Sequence, residues 1–176
     1  MIRDPLFGDK TLFYICALLR IMIQRIQTIW FFFATLTFFA LFLFAFVHFS
    51  ENGTPKALKV TGVYENRTGE VVSTRDFLAL TVATALIGVL PFIAIFLFRN
   101  RKQQITLAYI AIIAVLGHFF WLYQITRQII GNFKLQPENY GIGIILPSLT
   151  ILFLIFAIKG IRKDERLVKS TDRLRG

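Results

Sequence analysis

Four stretches of this chain contain no Asp, Glu, Lys or Arg: residues 28–49, 77–98, 105–125 and 141–158. A hydrocarbon layer about 30 Å thick is crossed by roughly 20 helical residues, so each stretch is long enough to span it. Lipid offers backbone amides no hydrogen-bond partner, which leaves only helices or a closed barrel. The apolarity is continuous rather than alternating, and this excludes the barrel. The expected fold is therefore an all-α membrane protein, a bundle of four transmembrane helices.

Composition supports lipid as the solvent. The chain has 176 residues, 56% of them hydrophobic and 20 of them Phe, yet its formal net charge is +10. A soluble domain of this size leaves too much of its surface in water to hide so much apolar area. The basic residues sit at the ends of the apolar runs, as membrane orientation requires, so nucleic acid is not an expected partner. The first run is longer than a signal-peptide core and no small-residue cleavage site follows Phe49, which reads as a retained anchor. The single cysteine, Cys16, can build neither a disulfide framework nor a metal site by itself.

Orientation follows from the flanks. Fourteen Lys and Arg precede the first run, separate the second from the third, or follow the fourth; the opposite side carries six, nearly cancelled by five acids. The positive-inside rule then places both termini and the 99–104 turn in the cytoplasm. Trp30 falls at the inner interface, and Trp121, Tyr123 and Tyr140 at the outer one.

Within the runs, Pro91 and Pro147 are expected to kink their helices, because proline offers no amide to the preceding turn. Small residues recur in the second run (Ala79, Ala83, Thr84, Gly88) and the third (Ala108, Ala111, Ala114, Gly117), which predicts a close pair. The first and fourth runs are larger-surfaced, with Phe-rich faces suited to lipid. Ser73 and Asp76 read as a capping box opening the second helix. Residues 50–76 form the one sizeable outer loop. Residues 57–65 and 69–75 read as two strands of a small hairpin around Asn66 and Arg67, resting on the bundle or on a partner. Two N-glycosylation patterns begin at Asn52 and Asn66 and matter only in a glycosylating host.

Chemistry is sparse. His118 is the candidate intramembrane polar site, with a neighbouring backbone group or Tyr123 as its expected partner; a proton relay would need a carboxylate at that depth. His48 is placed at the outer interface. No zinc-protease, nucleophile-elbow, phosphate-loop or dinucleotide signature occurs, so no catalytic, metal or cofactor residues are assigned and no cofactor is expected. The tail, residues 160–176, is basic and sign-mixed. Lipid attraction alone would gain from omitting its acids, so Arg162, Lys163, Asp164, Glu165, Arg166, Lys169, Asp172 and Arg173 are candidate contacts. They would meet anionic lipid, a membrane-protein or cytoplasmic partner, or the 99–104 turn.

Two runs carry a resemblance. MIQRIQTIW at 22–30 and IRKDERLVKSTDRLR at 161–175 resemble the opening and ending of a four-helix membrane family of Bacteroidota, known as domain of unknown function 4293. The resemblance implies a small multi-pass protein of the bacterial inner membrane and no assigned activity. Members of that family begin at the position of Met22, so residues 1–21 read as an upstream extension, interfacial if translated. Residues 22–159 are then the membrane domain. The functional expectation is a non-enzymatic accessory or scaffold subunit of a membrane assembly. The alternatives are a small homo-oligomeric transporter or channel, favoured by a polar cavity in the bundle, and a lipid-acting enzyme using His48 or Glu51.

Overall fold

The structure, a computed structural model, describes residues 27–51, 53–67, 70–97, 100–131 and 139–173. The N-terminal extension, Cys16 and the start of the first apolar run lie outside these. Four helices and a small antiparallel sheet make up the described chain. Helix α1 covers Gln27–Phe42, tightening to a 3-10 turn over Ala40–Phe42. Helices α2 (Leu78–Phe96), α3 (Arg101–Ile130) and α4 (Leu146–Arg173) follow. Three of the four helices contain a stretch long and apolar enough to cross a membrane.

The first run is not helical throughout. Its helix stops at Phe42, and Val47–Glu51 forms strand β1. The expected hairpin is instead a four-stranded meander with order β1-β2-β3-β4, completed by β2 (Thr54–Lys59), β3 (Gly62–Arg67) and β4 (Glu70–Asp76). Its cause is physical. Phe46, Val47, Leu58, Val60 and Val63 are buried together with Leu80, Val115 and Leu122 of the helices, so the sheet closes one end of the bundle. Backbone bonds seal this junction, Phe46 N–H donating to Leu58 O and Phe77 N–H to Thr61 O. Residues 73–76, read as a capping box, are the end of β4, and Phe77 at the α2 N-terminus makes no side-chain cap.

The bundle core is aromatic at its centre. Phe31 and Phe38 of α1 are fully buried, while Phe32, Phe33 and Phe44 of the same run form an exposed aromatic face. Helix α1 runs antiparallel to α4, with Trp30 against Phe156 (5.1 Å between centroids) and Phe33 against Phe153 (5.8 Å). On α2, Gly88 admits Phe38 and Phe39, since a Cβ there would lie 3.0 Å from the Phe39 ring. Ala108 and Ala111 of α3 are buried as the small-residue pattern predicts, whereas Ala79 and Gly117 of that pattern are exposed.

The two prolines behave differently. Helix α2 continues through the buried Pro91. Pro147 is the second residue of α4, where no intrahelical amide is needed, so it starts that helix instead of kinking it. Before it, residues 142–144 open the apolar span Ile142–Leu167 without being α-helical. They form a 3-10 turn, Ile142–Ile144, clasped to residues 45–46: Gly141 N–H donates to Phe46 O and Gly143 N–H to Ala45 O, both at 3.0 Å. Helix α4 then runs unbroken past Lys159 to Arg173, so the described part of the tail is its continuation.

Candidate functional site

Buried polar groups in an apolar bundle must find partners within it, and four threonines do so locally. Thr35, Thr84, Thr126 and Thr150 each donate a hydroxyl to the carbonyl four residues earlier. Thr84 also meets His118 across the α2–α3 interface, Oγ1 to Nε2 at 2.7 Å. The hydroxyl has one proton. With that proton on Leu80 O, at 2.7 Å, Oγ1 must accept from Nε2–H, which leaves Nδ1 a bare acceptor. Nδ1 is buried and makes no hydrogen bond, and the Phe38 ring lies edge-on at 5.4 Å. The partner is thus Thr84, not Tyr123, whose ring lies under Arg127. No carboxylate joins the bonds described for His118.

The opposite end of the bundle holds a second buried polar contact. Gln27 of α1 donates from Nε2 to Asp164 of α4, and both side chains are buried. Gly160, one turn earlier, lies against Gln27, where a Cβ would come within 3.2 Å of its Cγ. Burial raises the Asp164 pKa above the ordinary carboxylate value; Arg101, the Gln27 bond and Lys163 each pull it back down. A raised acid pKa means the folded state favours the protonated form. Stability from this group is therefore fullest below the unfolded value of 3.8 and falls as pH rises through the folded value. Asp164→Asn should keep an acceptor for Gln27, match wild type at neutral pH or exceed it, and flatten the pH dependence. Asp164→Ala leaves Gln27 unbonded and should cost about 1–3 kcal/mol. Unfolding midpoints of the three proteins between pH 4 and 8 check this; identical pH profiles would count against it.

The other tail residues divide by face. Arg162 donates to Tyr109 Oη at 2.8 Å and stands over its ring, tying α4 to α3. Lys163 and Arg166 are exposed and Glu165 is half-buried. The side chains of Lys169, Asp172 and Arg173 lie outside the described residues, although their backbone is helical. At the sheet end, His48 lines an open cleft of about 510 Å³ with Lys56, Lys59, Tyr64 and Glu65. Glu65 is buried beside Lys56 (4.0 Å) and accepts from Thr74 at 3.5 Å. The Glu51 side chain is outside the described residues. Among the described residues no three His, Cys, Asp or Glu are grouped to hold a metal ion.

Sequence reasoning missed Gln27 and read Thr84 only as a small residue. A signal for Gln27 was present, since it and Asp164 are polar residues at facing ends of two apolar runs.

Comparison with curated proteins gives no match. The family model described as Domain of unknown function (DUF4293) matches residues 23–174, which include all four described helices. The chain belongs to the DUF4293 family.

Proposed function

We propose that the chain is a multi-pass protein of the bacterial inner membrane, with both termini cytoplasmic, serving as a non-enzymatic accessory or scaffold subunit of a membrane assembly. The observation that carries this reading is the sheet edge. Among the described residues strand β4 pairs only with β3, and Val72, Ser73, Thr74, Arg75 and Asp76 are all exposed. An open edge is a template for a further strand, and proteins that do not use such edges usually blunt them. The second contact surface is the basic face of α4, where Lys163 and Arg166 stand clear of the bundle. The filled centre at Phe31 and Phe38 supports a structural role.

Transport has one observation in its favour, the buried His118–Thr84 pair with its bare Nδ1. Against it, the neighbour of that ring is Phe38, 5.4 Å away between centroids, which offers no hydrogen bond to a proton or polar solute.

Truncating the tail is a poor test, because it removes Ile161 and Asp164, both buried in the bundle. Tagged protein from gently solubilised native membranes should instead be compared with Val72→Lys and with Lys163→Glu/Arg166→Glu. A near-stoichiometric partner is expected. Its recovery should fall about tenfold in at least one variant, the effect of losing about 1.4 kcal/mol of binding. A wild-type chain that returns alone, or variants that retain the partner in full, would sink the subunit reading.

A further inference from the structure

An apolar slot of about 80 Å³ opens at the sheet end of the bundle, on the side of α3 that carries Phe119 and Tyr123. Its walls are Phe46, Phe119, Leu122 and Pro147. The clasp between residues 141–143 and 45–46 holds the far wall in place, because Gly143 approaches the Ala45 backbone closely. Thr126 lines the slot too, but its hydroxyl is committed to Leu122 O, so the interior offers no free donor. A space of this size holds about two or three water-sized groups, which matches a few methylenes and not a whole lipid.

The rim differs from the walls. Arg127 also lines the slot, with its guanidinium 5.9 Å from the centre of the Tyr123 ring, and Tyr123, Arg127 and Tyr140 are its solvent-exposed polar members. No carboxylate lines the slot among the described residues. A basic residue near a helix C-terminus is favoured by the helix dipole alone. That preference does not explain an apolar slot lined by the same arginine.

We propose that this slot and Arg127 together bind one phospholipid with a net-negative headgroup: the first methylenes of an acyl chain fill the slot and the phosphate pairs with the guanidinium. Arginine presents a planar fork that matches phosphate oxygens, and the pairing strengthens where water is partly excluded. A zwitterionic headgroup brings an ammonium that finds no carboxylate at the rim, so the site selects phosphatidylglycerol over phosphatidylcholine. The binding rests on the membrane reading above but requires no protein partner.

The test is native mass spectrometry of the full chain released from detergent after titration with phosphatidylglycerol or phosphatidylcholine. Wild-type protein retains one phosphatidylglycerol about tenfold more strongly than phosphatidylcholine, the discrimination expected of one charge-assisted contact. Arg127→Gln removes the preference and Arg127→Lys restores part of it, since lysine keeps the charge and loses the fork. Ile144→Phe, which puts a larger side chain into the slot, lowers retention of both lipids. Arg75→Gln, at an exposed arginine lining a different cleft, leaves retention unchanged and serves as the control for general charge. Equal retention of the two lipids by wild type, or a preference that survives in folded Arg127→Gln, overturns the proposal. Recovery of the chain in the carbonate-soluble fraction overturns the membrane reading and this site with it.

Discussion

Phe38→Ala is expected to destabilise the fold by about 3–5 kcal/mol, the usual cost of emptying a buried aromatic site. Phe38 is fully buried, reaches Gly88 on α2 and lies edge-on to His118 on α3, so one side chain joins three helices. Lipid cannot readily refill a cavity at the bundle centre, and the lost contacts are dispersion contacts in any solvent. A second effect accompanies the first. Removing the ring opens space beside His118 Nδ1, the buried acceptor without a hydrogen bond, and a water entering there would return part of the loss. Phe32→Ala, on the exposed side of α1, should change stability by no more than about 0.5 kcal/mol. Thermal unfolding in a mild detergent, followed by tryptophan fluorescence, measures the contrast. If the two variants unfold together, the described core is wrong.

Gly141→Ala should be nearly as damaging although it adds a single methyl group. A Cβ at this position would lie 2.3 Å from the Ala45 carbonyl oxygen and 3.1 Å from its carbon, both backbone atoms. Backbone cannot rotate aside as a side chain can, so the clasp must open. The Gly141–Phe46 and Gly143–Ala45 hydrogen bonds go with it, and the Val47–Tyr140 bridge is disturbed. Overpacking plus lost hydrogen bonds should total about 2–4 kcal/mol. Gly117→Ala is the comparison, since no atom lies within 4 Å of its Cβ position. It should be neutral or stabilise by up to about 1 kcal/mol, because alanine is the better helix former. Amide exchange at residues 141–146 would separate local opening from global unfolding, and unchanged protection in Gly141→Ala would refute the clasp.

The long helices were readable because an uncharged run of this length has one solution in lipid; the expected 77–98 and the observed Leu78–Phe96 nearly coincide. The end of α1 was not readable for a related reason. Residues 43–49 are as apolar as the helix before them, yet Phe46 and Val47 are buried against Leu58 and Val60 of the sheet. An apolar run alone cannot separate a buried strand from a helix. The second hidden strand boundary lies at residues 60–61, where no Asn-Gly or Asp-Gly pair announces a turn. Misplacing the start of α4 by five residues turned the helix-opening Pro147 into an expected kink. His118 stood out as a lone polar group, but its partner is 34 residues away, and Asp164 meets Gln27 across 137. Such pairings depend on which helix faces meet, and one sequence does not specify that.

The unbroken course of α4 has a geometric consequence for its charges. Twenty-eight residues at 1.5 Å each give a rod of about 42 Å, roughly 12 Å more than a hydrocarbon layer. At about 100° per residue, Lys159, Arg162, Lys163 and Arg166 fall within an arc of roughly 100°, and Asp164 and Ile161 point away from it. With Asp164 held by Gln27, that arc keeps a fixed bearing relative to the sheet at the other end of the same rod. As far as Arg173 the tail is therefore a shaft with a defined phase and not a tether. One residue inserted after Asp164 would swing the charges beyond it about 100° around the axis, whereas four would bring them back to within about 40°.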